Sequence, residues 1–268
     1  MSLVMFRRAL KDLRWTMFWY ALGVFLYSLL IIVAAYPTVH RNSALVEQYM
    51  RQFPQAMLRA FGVTHGFMTL AGFLGGEILN FMWPLVMAVF VIMAGAAVVA
   101  QEIERGTVEL WLSAPESRVR LLTAKLAALV VGILVVVLAT LGALALGARL
   151  VGATLTTGGV LTLGTVLVAF GIAVGGYAAL ASSFSNARGR AAGLAAALTL
   201  AFYLAWVIAG LSDQWSWLKR LSLFTAYEPQ RALEQGTLPV LDVVVLLAIG
   251  VVCAGAATVV FHRRDAIG

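Results

Sequence analysis

The residues best suited to chemistry lie in one stretch of this 268-residue chain, QEIERGTVELWLSAPESRVRLLTAK at 101–125. It gathers Glu102, Glu104, Arg105, Glu109, Glu116, Arg118, Arg120 and Lys125, in a chain with only 19 Lys and Arg and 12 Asp and Glu. Glu102, Glu104, Arg105 and Glu109 alternate in sign on an expected short helix whose Ile103, Thr107, Leu110 and Trp111 form a less polar face. Ser113-Ala114-Pro115-Glu116 then has the form of a capping box with Pro in the first turn, opening a second helix. A helix, a capped break and another helix make a stiff elbow, and its chemistry is that of recognition: a docking surface for a soluble partner. Nucleophile–base sets, HExxH and the phosphate loop G-x-x-x-x-G-K-[ST] do not occur in the sequence. His40 and His65 lack nearby Cys or acidic clusters, so no metal site is expected.

The elements that position this elbow follow from where charge is missing. The chain is 62% hydrophobic and 12% charged, against roughly 45–50% and 25% in an ordinary soluble domain. Charge-free runs cover 15–40, 78–101, 126–148, 150–187, 191–212 and 243–262, each long enough for the roughly 20 residues that cross a ~30 Å hydrocarbon core. The fold class is therefore an all-α polytopic membrane protein with six transmembrane helices, at about 16–36, 78–100, 124–147, 158–182, 191–211 and 241–262. An N-terminal amphipathic interfacial helix is expected over 1–15, where Phe6, Leu10, Leu13 and Met17 recur at helical spacing among Arg7, Arg8, Lys11 and Arg14. The rest of this single transmembrane domain, 1–268, divides into an exterior segment 37–77, the cytoplasmic elbow 101–123 and a second exterior segment 212–240. The apolar run near the N-terminus exceeds the 7–15 residues of a signal-peptide core, so an uncleaved first span is expected.

An even number of spans puts both termini on one side. Basic residues are denser on that side and in its short connections, so the positive-inside rule makes the termini cytoplasmic. The net charge of +7 sits at the ends of apolar runs, and no nucleic-acid partner is expected. No charge falls near the centre of a span. This argues against a carrier built on buried carboxylates and favours an amphipathic, largely apolar substrate. Gly171 with Gly175 and Gly189 with Gly193 have the small-xxx-small spacing of close helix packing, and Pro84 is expected to kink the second span.

The run GTVELWLSAPESRVRLLTAKL, 106–126, resembles the cytoplasmic stretch of type-2 ABC transporter permeases. Glu104-Arg105-Gly106-Thr107 and Ser117-Arg118 carry the likeness, and LSLFTAYEPQRALEQG at 221–236 and the ending Phe261-His262-Arg263-Arg264-Asp265 are also similar to that family. The resemblance implies the membrane subunit of an ABC exporter in the cytoplasmic (inner) membrane of a prokaryote. It implies that the chain itself binds no cofactor, that ATP and Mg belong to a separate nucleotide-binding ATPase subunit, and that a second permease, in a homodimer or heterodimer, completes the pathway in membrane lipid. The coupling role then falls to Glu102, Glu104, Arg105, Gly106, Thr107, Glu109, Trp111 and Arg118, and 1–15 becomes the connecting helix. The first, second and fifth spans border the cavity of the dimer, which makes Asn80, Trp83, Tyr203 and Trp206 candidates for the substrate pathway.

The alternatives from other classes are a membrane-embedded lipid-modifying enzyme and an ATP-independent secondary carrier; copurification with a nucleotide-binding subunit separates the first reading from both. The glycine-rich stretch 60–76 is expected to be exterior or re-entrant. Tags at the two ends should therefore be cleaved by protease from the same face of inverted vesicles. Cleavage from opposite faces would make the stretch a seventh span.

Overall fold

A computed structural model describes residues 3–50, 52, 69–106 and 118–263. Among these, every regular element is a helix, and six helices are long and apolar enough to cross a membrane. The chain is an all-α, multi-pass membrane protein. The six are α1 (Leu3–Arg41), α3 (Leu70–Ala96), α5 (Arg118–Leu150), α6 (Thr157–Phe184), α7 (Arg188–Leu211) and α9 (Val240–Arg263). Short helices α2 (Ser43–Met50), α4 (Ala100–Glu104) and α8 (Pro229–Gln235) lie between them, with 3-10 turns at Asp213–Leu221 and Leu223–Ala226. Chain direction puts the start of α1, the end of α9 and the α3–α4–α5 connection at one end of the bundle, called here the elbow end. Val98, Val99, Leu122 and Phe261 form a small apolar cluster there.

Helix α1 spans 39 residues, about 58 Å at 1.5 Å per residue, nearly twice the hydrocarbon thickness. No break separates 3–15 from the first span. Leu10, Leu13 and Met17 of the expected amphipathic stripe pack into the protein's own core, and a Cβ added at Gly132 of α5 would lie 3.3 Å from both the Leu13 and Met17 side chains. The stripe serves α5 as well as any lipid boundary.

Both α1 and α3 widen to π geometry just before a proline. Ile31–Ala35 precedes Pro37, and Gly75–Met82 precedes Pro84. Proline has no N–H and collides with the carbonyl four residues back, so a local shift to five-residue spacing accommodates it. Accordingly Tyr36 N–H donates to Ile31 O, and Trp83 N–H to Ile78 O.

The second span starts earlier than the sequence reading placed it. Thr69 caps the helix by accepting from Gly72 N–H at 3.1 Å, and the helix continues through Gly75, Gly76 and Glu77. Residues 70–77, expected in the exterior segment, belong to α3. The two glycines and the carboxylate interrupt the apolar pattern because this stretch packs on α8: a Cβ at Gly75 would stand 2.6 Å from Gln230 Cδ.

Helix α6 is the centre of the bundle. Of its most apolar window 67% is buried inside the protein, against 28% for α1, 22% for α9 and 17% for α7. Glycine makes this possible by letting neighbours approach. A Cβ at Gly171 would lie 2.7 Å from Met87 Cε, and one at Gly176 would lie 2.7 Å from Gly250 Cα of α9. Gly171 and Gly175 thus pack within the chain. Gly189 and Gly193 meet nothing within 4 Å and lie on an open stretch of α7, so their spacing makes no contact inside this chain.

Gly176→Leu should cost about 1–3 kcal/mol by overpacking the α6–α9 contact, read as a lower melting temperature in detergent. Gly255→Leu, on the open side of α9, should leave melting unchanged. Equal melting of the two variants would contradict the assigned contact.

Candidate functional site

The site begins where α3 stops. The helix ends at Ala96, the chain turns through 97–99, and α4 starts at Ala100. A break in a helix leaves carbonyls without donors on one side and N–H groups without acceptors on the other. Ser182, near the end of α6, resolves both sides. Its hydroxyl donates to Ala96 O at 2.7 Å and accepts from Val99 N–H at 3.0 Å and Ala100 N–H at 2.9 Å. The side chain is fully buried. One hydroxyl from another helix therefore fixes the angle between the second span and the elbow.

Two acids of the elbow extend this clamp. Glu102 Oε1 accepts from Lys125 Nζ of α5 at 2.6 Å, with both side chains less than one-fifth exposed, and the same ammonium donates to Ala97 O at 3.4 Å. Lys125 thus ties the start of α5 to the turn. Glu104 Oε2 accepts from Arg188 N–H at 2.8 Å, so a carboxylate caps the first turn of α7, the end that carries partial positive charge. Arg188 Nη2 donates to Met93 O at 3.3 Å. With the Gln101 amide oxygen facing Arg105, as hydrogen bonding requires, it accepts from Nη1 at 2.8 Å and Nη2 at 3.0 Å.

Gly106 follows at φ 67°, a left-handed conformation that glycine adopts without strain and that ends α4. Among the residues assigned to coupling, Glu102 and Glu104 are thus engaged within the chain, Arg105 and Gly106 are exposed at the end of α4, and Arg118 opens α5. Thr107, Glu109 and Trp111 lie outside the described residues, as does the capping box 113–116.

At the far end a second clamp holds the π segment of α3. Widening at 75–82 hands the Leu79 carbonyl to residue 84, and Pro84 has no N–H to give it. Tyr227 supplies the missing donor, its hydroxyl reaching Leu79 O at 2.8 Å. Complete burial pushes the Tyr227 pKa well above that of an ordinary tyrosine, so the donated proton is retained. The Tyr227 ring lies 4.6 Å from Phe170 and 6.2 Å from Trp83, nearly parallel to the latter at 15°. Phe224 joins this cluster 5.5 Å from Phe170. It is buried in the core of the bundle.

The pathway candidates separate on inspection. Trp83 is buried, its Nε1 donating to Thr140 Oγ1 at 2.9 Å while that hydroxyl donates to Val136 O. It also edges an apolar cavity of about 340 Å³ between α1 and α3, lined by Trp19, Tyr20, Tyr27 and Met82. Ser28 lines the same cavity, and its buried hydroxyl has no hydrogen-bond partner among the described residues. Tyr203 lines a smaller groove of about 160 Å³ between α3 and α7, with Phe81 and Thr199. Trp206 stands 6.2 Å from Tyr203, and Asn80 is half-buried in the π segment. The four candidates do not share one cavity.

Ser182, Tyr227, Thr140 and Ser28 were not singled out in the sequence. A hydroxyl inside an apolar helix commonly bonds its own preceding turn and carries no pattern of its own. The one available signal was position: Ser182 stands where a span meets the elbow end, and Tyr227 precedes Glu228-Pro229.

Ser182→Ala strands two buried N–H groups and a carbonyl, and should lower stability by about 2 kcal/mol or more. Tyr227→Phe strands Leu79 O and should cost about 1–3 kcal/mol. Thermal melting in lipid nanodiscs measures both, and a Ser182→Ala protein that melts like the wild type would contradict the clamp.

The chain matches no curated protein sequence. A family match covers residues 11–266, nearly the whole chain, and it spans both clamps and the elbow between them. Six apolar helices, an elbow fixed by buried polar bonds and this match agree, and the chain belongs to the ABC-2 family of transporter proteins, the membrane components of ABC transporters.

Proposed function

We propose that the chain is the permease subunit of an ATP-driven ABC exporter that moves a hydrophobic or amphipathic compound, a drug, antibiotic or lipid-like molecule, across the cytoplasmic membrane of a prokaryote. The observation that carries this reading is the elbow whose root is locked into the bundle by Ser182, Glu102 and Glu104. A lever transmits force only if its joint resists bending. Closure of an ATPase dimer on the tip would then tilt α3, α5, α6 and α7 together, and a bundle with two stable arrangements would change the side on which it is open.

In this reading ATP and Mg are held by the separate ATPase subunit. Arg105, Gly106, Thr107, Glu109, Trp111 and Arg118 meet that subunit, whereas Glu102 and Glu104 position the elbow from within. Both termini face the cytoplasm. The open faces of α1 and α7 suit contact with a second permease, and the aromatic cavity beside Ser28 and the groove beside Tyr203 suit an uncharged or amphipathic substrate.

Arg105→Glu or Glu109→Lys should lower transport in proteoliposomes and reduce copurification with the coexpressed ATPase, while membrane insertion stays normal. A reconstituted double variant with wild-type, substrate-coupled ATP turnover would refute the assignment of the elbow.

A further inference from the structure

A cavity of about 360 Å³ opens at the elbow end between α1, α3, α5 and the start of α7. Its wall has two characters. Leu13, Met93, Val98 and Leu129 are apolar; Asp12, Gln101, Glu102, Arg105, Lys125 and Arg188 are polar or charged. Glu102 and Lys125 neutralise each other at 2.6 Å. The charges left on the lining are Asp12, Arg105 and Arg188, and the Glu104 carboxylate that accepts from Arg188 N–H stands just beyond it. Among the described residues, the hydrogen-bond partner of Arg105 is the neutral Gln101 amide. Arg188 gives Nη2 to Met93 O, while its buried Nε has no hydrogen-bond partner among the described residues. An unpartnered buried guanidinium donor is costly, and in the apolar surroundings of a membrane protein it is a sign of a missing acceptor.

We propose that this cavity is a binding site for the phosphodiester headgroup of an anionic phospholipid from the leaflet at the elbow end. The single negative charge of a phosphodiester is met by the two guanidiniums on the wall, Arg105 and Arg188. A small rotation of the Arg188 guanidinium presents Nε and a terminal nitrogen as a fork to two phosphate oxygens, the geometry arginine favours, with Arg105 approaching from the turn. The apolar wall along Leu13, Met93 and Leu129 accommodates the first methylenes of the acyl chains, which a soluble phosphate lacks. A bound headgroup would bridge α1, the elbow and α7, so the lipid would stiffen the same joint that Ser182 holds from the other side. The inference is independent of what the protein transports.

The test uses the full-length chain purified in detergent, with phosphatidylglycerol, phosphatidylcholine or inorganic phosphate added and binding followed by native mass spectrometry and thermal melting. Phosphatidylglycerol should bind in preference to phosphatidylcholine and raise the melting temperature. Arg105→Gln with Arg188→Gln should weaken its binding roughly tenfold or more, the loss expected for charge-assisted hydrogen bonds. Arg149→Gln, exposed at the far end, should leave binding intact. Arg105→Gln alone, at an exposed turn, serves if the double variant fails to fold, and should still weaken binding severalfold. Equal phosphatidylglycerol binding by wild type and variants would overturn the site. Stabilisation by inorganic phosphate with none by phosphatidylglycerol would overturn the lipid as its occupant.

Discussion

A backbone buried among apolar helices must find a partner for every N–H and C=O, because lipid and packed side chains supply none. In this protein that constraint is sharpest along the second span, which is interrupted twice. Pro84 removes a donor near the far end, and the turn at 97–99 strips acceptors and donors at the elbow end. Tyr227 answers the first interruption and Ser182 the second, each with one hydroxyl from a distant part of the chain. Because each hydroxyl has few alternative partners in so apolar a setting, its position is dictated, and the elements carrying it are dictated in turn. The segment after α7 folds back as 3-10 turns and α8 so that Tyr227 can reach Leu79, and α6 runs to Phe184 so that Ser182 can reach the turn.

The second span becomes a beam fixed at both ends. Along its length, Trp83 ties it to α5 through Thr140, and the approach of Gly171 and Gly175 lets α6 lie against it. At its elbow end, Glu102 and Glu104 carry the constraint outward to α5 and α7. The helices with the least internal packing, α1, α7 and α9, surround this fixed core. Internal packing is concentrated around the second span and α6, and open surface lies on α1, α7 and α9.

The six spans were legible because charge is excluded from hydrocarbon and the runs free of it are unmistakable. Their limits were less so. Gly75, Gly76 and Glu77 break the apolar pattern for a reason no local rule contains, namely the docking of Gln230 across that face. Leu10, Leu13 and Met17 pack into the core, and the periodicity that groups them with Phe6 does not say whether such a face meets lipid or α5. The elbow was legible as a cluster of charge, but the partners of its side chains were not. Glu102 and Glu104 look like surface groups in sequence, and their partners Lys125 and Arg188 are 23 and 84 residues away. Ser182 and Tyr227 were invisible for a related reason: what they satisfy is a vacancy created by another helix's geometry, and a vacancy has no residue type.

The central claim is that the break between the second span and the elbow is a clamped joint. The most direct measurement is amide hydrogen exchange at Val99 and Ala100 in nanodiscs, with the ATPase subunit present and with and without nucleotide. A clamped joint predicts exchange as slow as in the middle of α3 in both states, with a large acceleration in Ser182→Ala. Rapid exchange at these two amides in the wild type, or no response to loss of the hydroxyl, would contradict it.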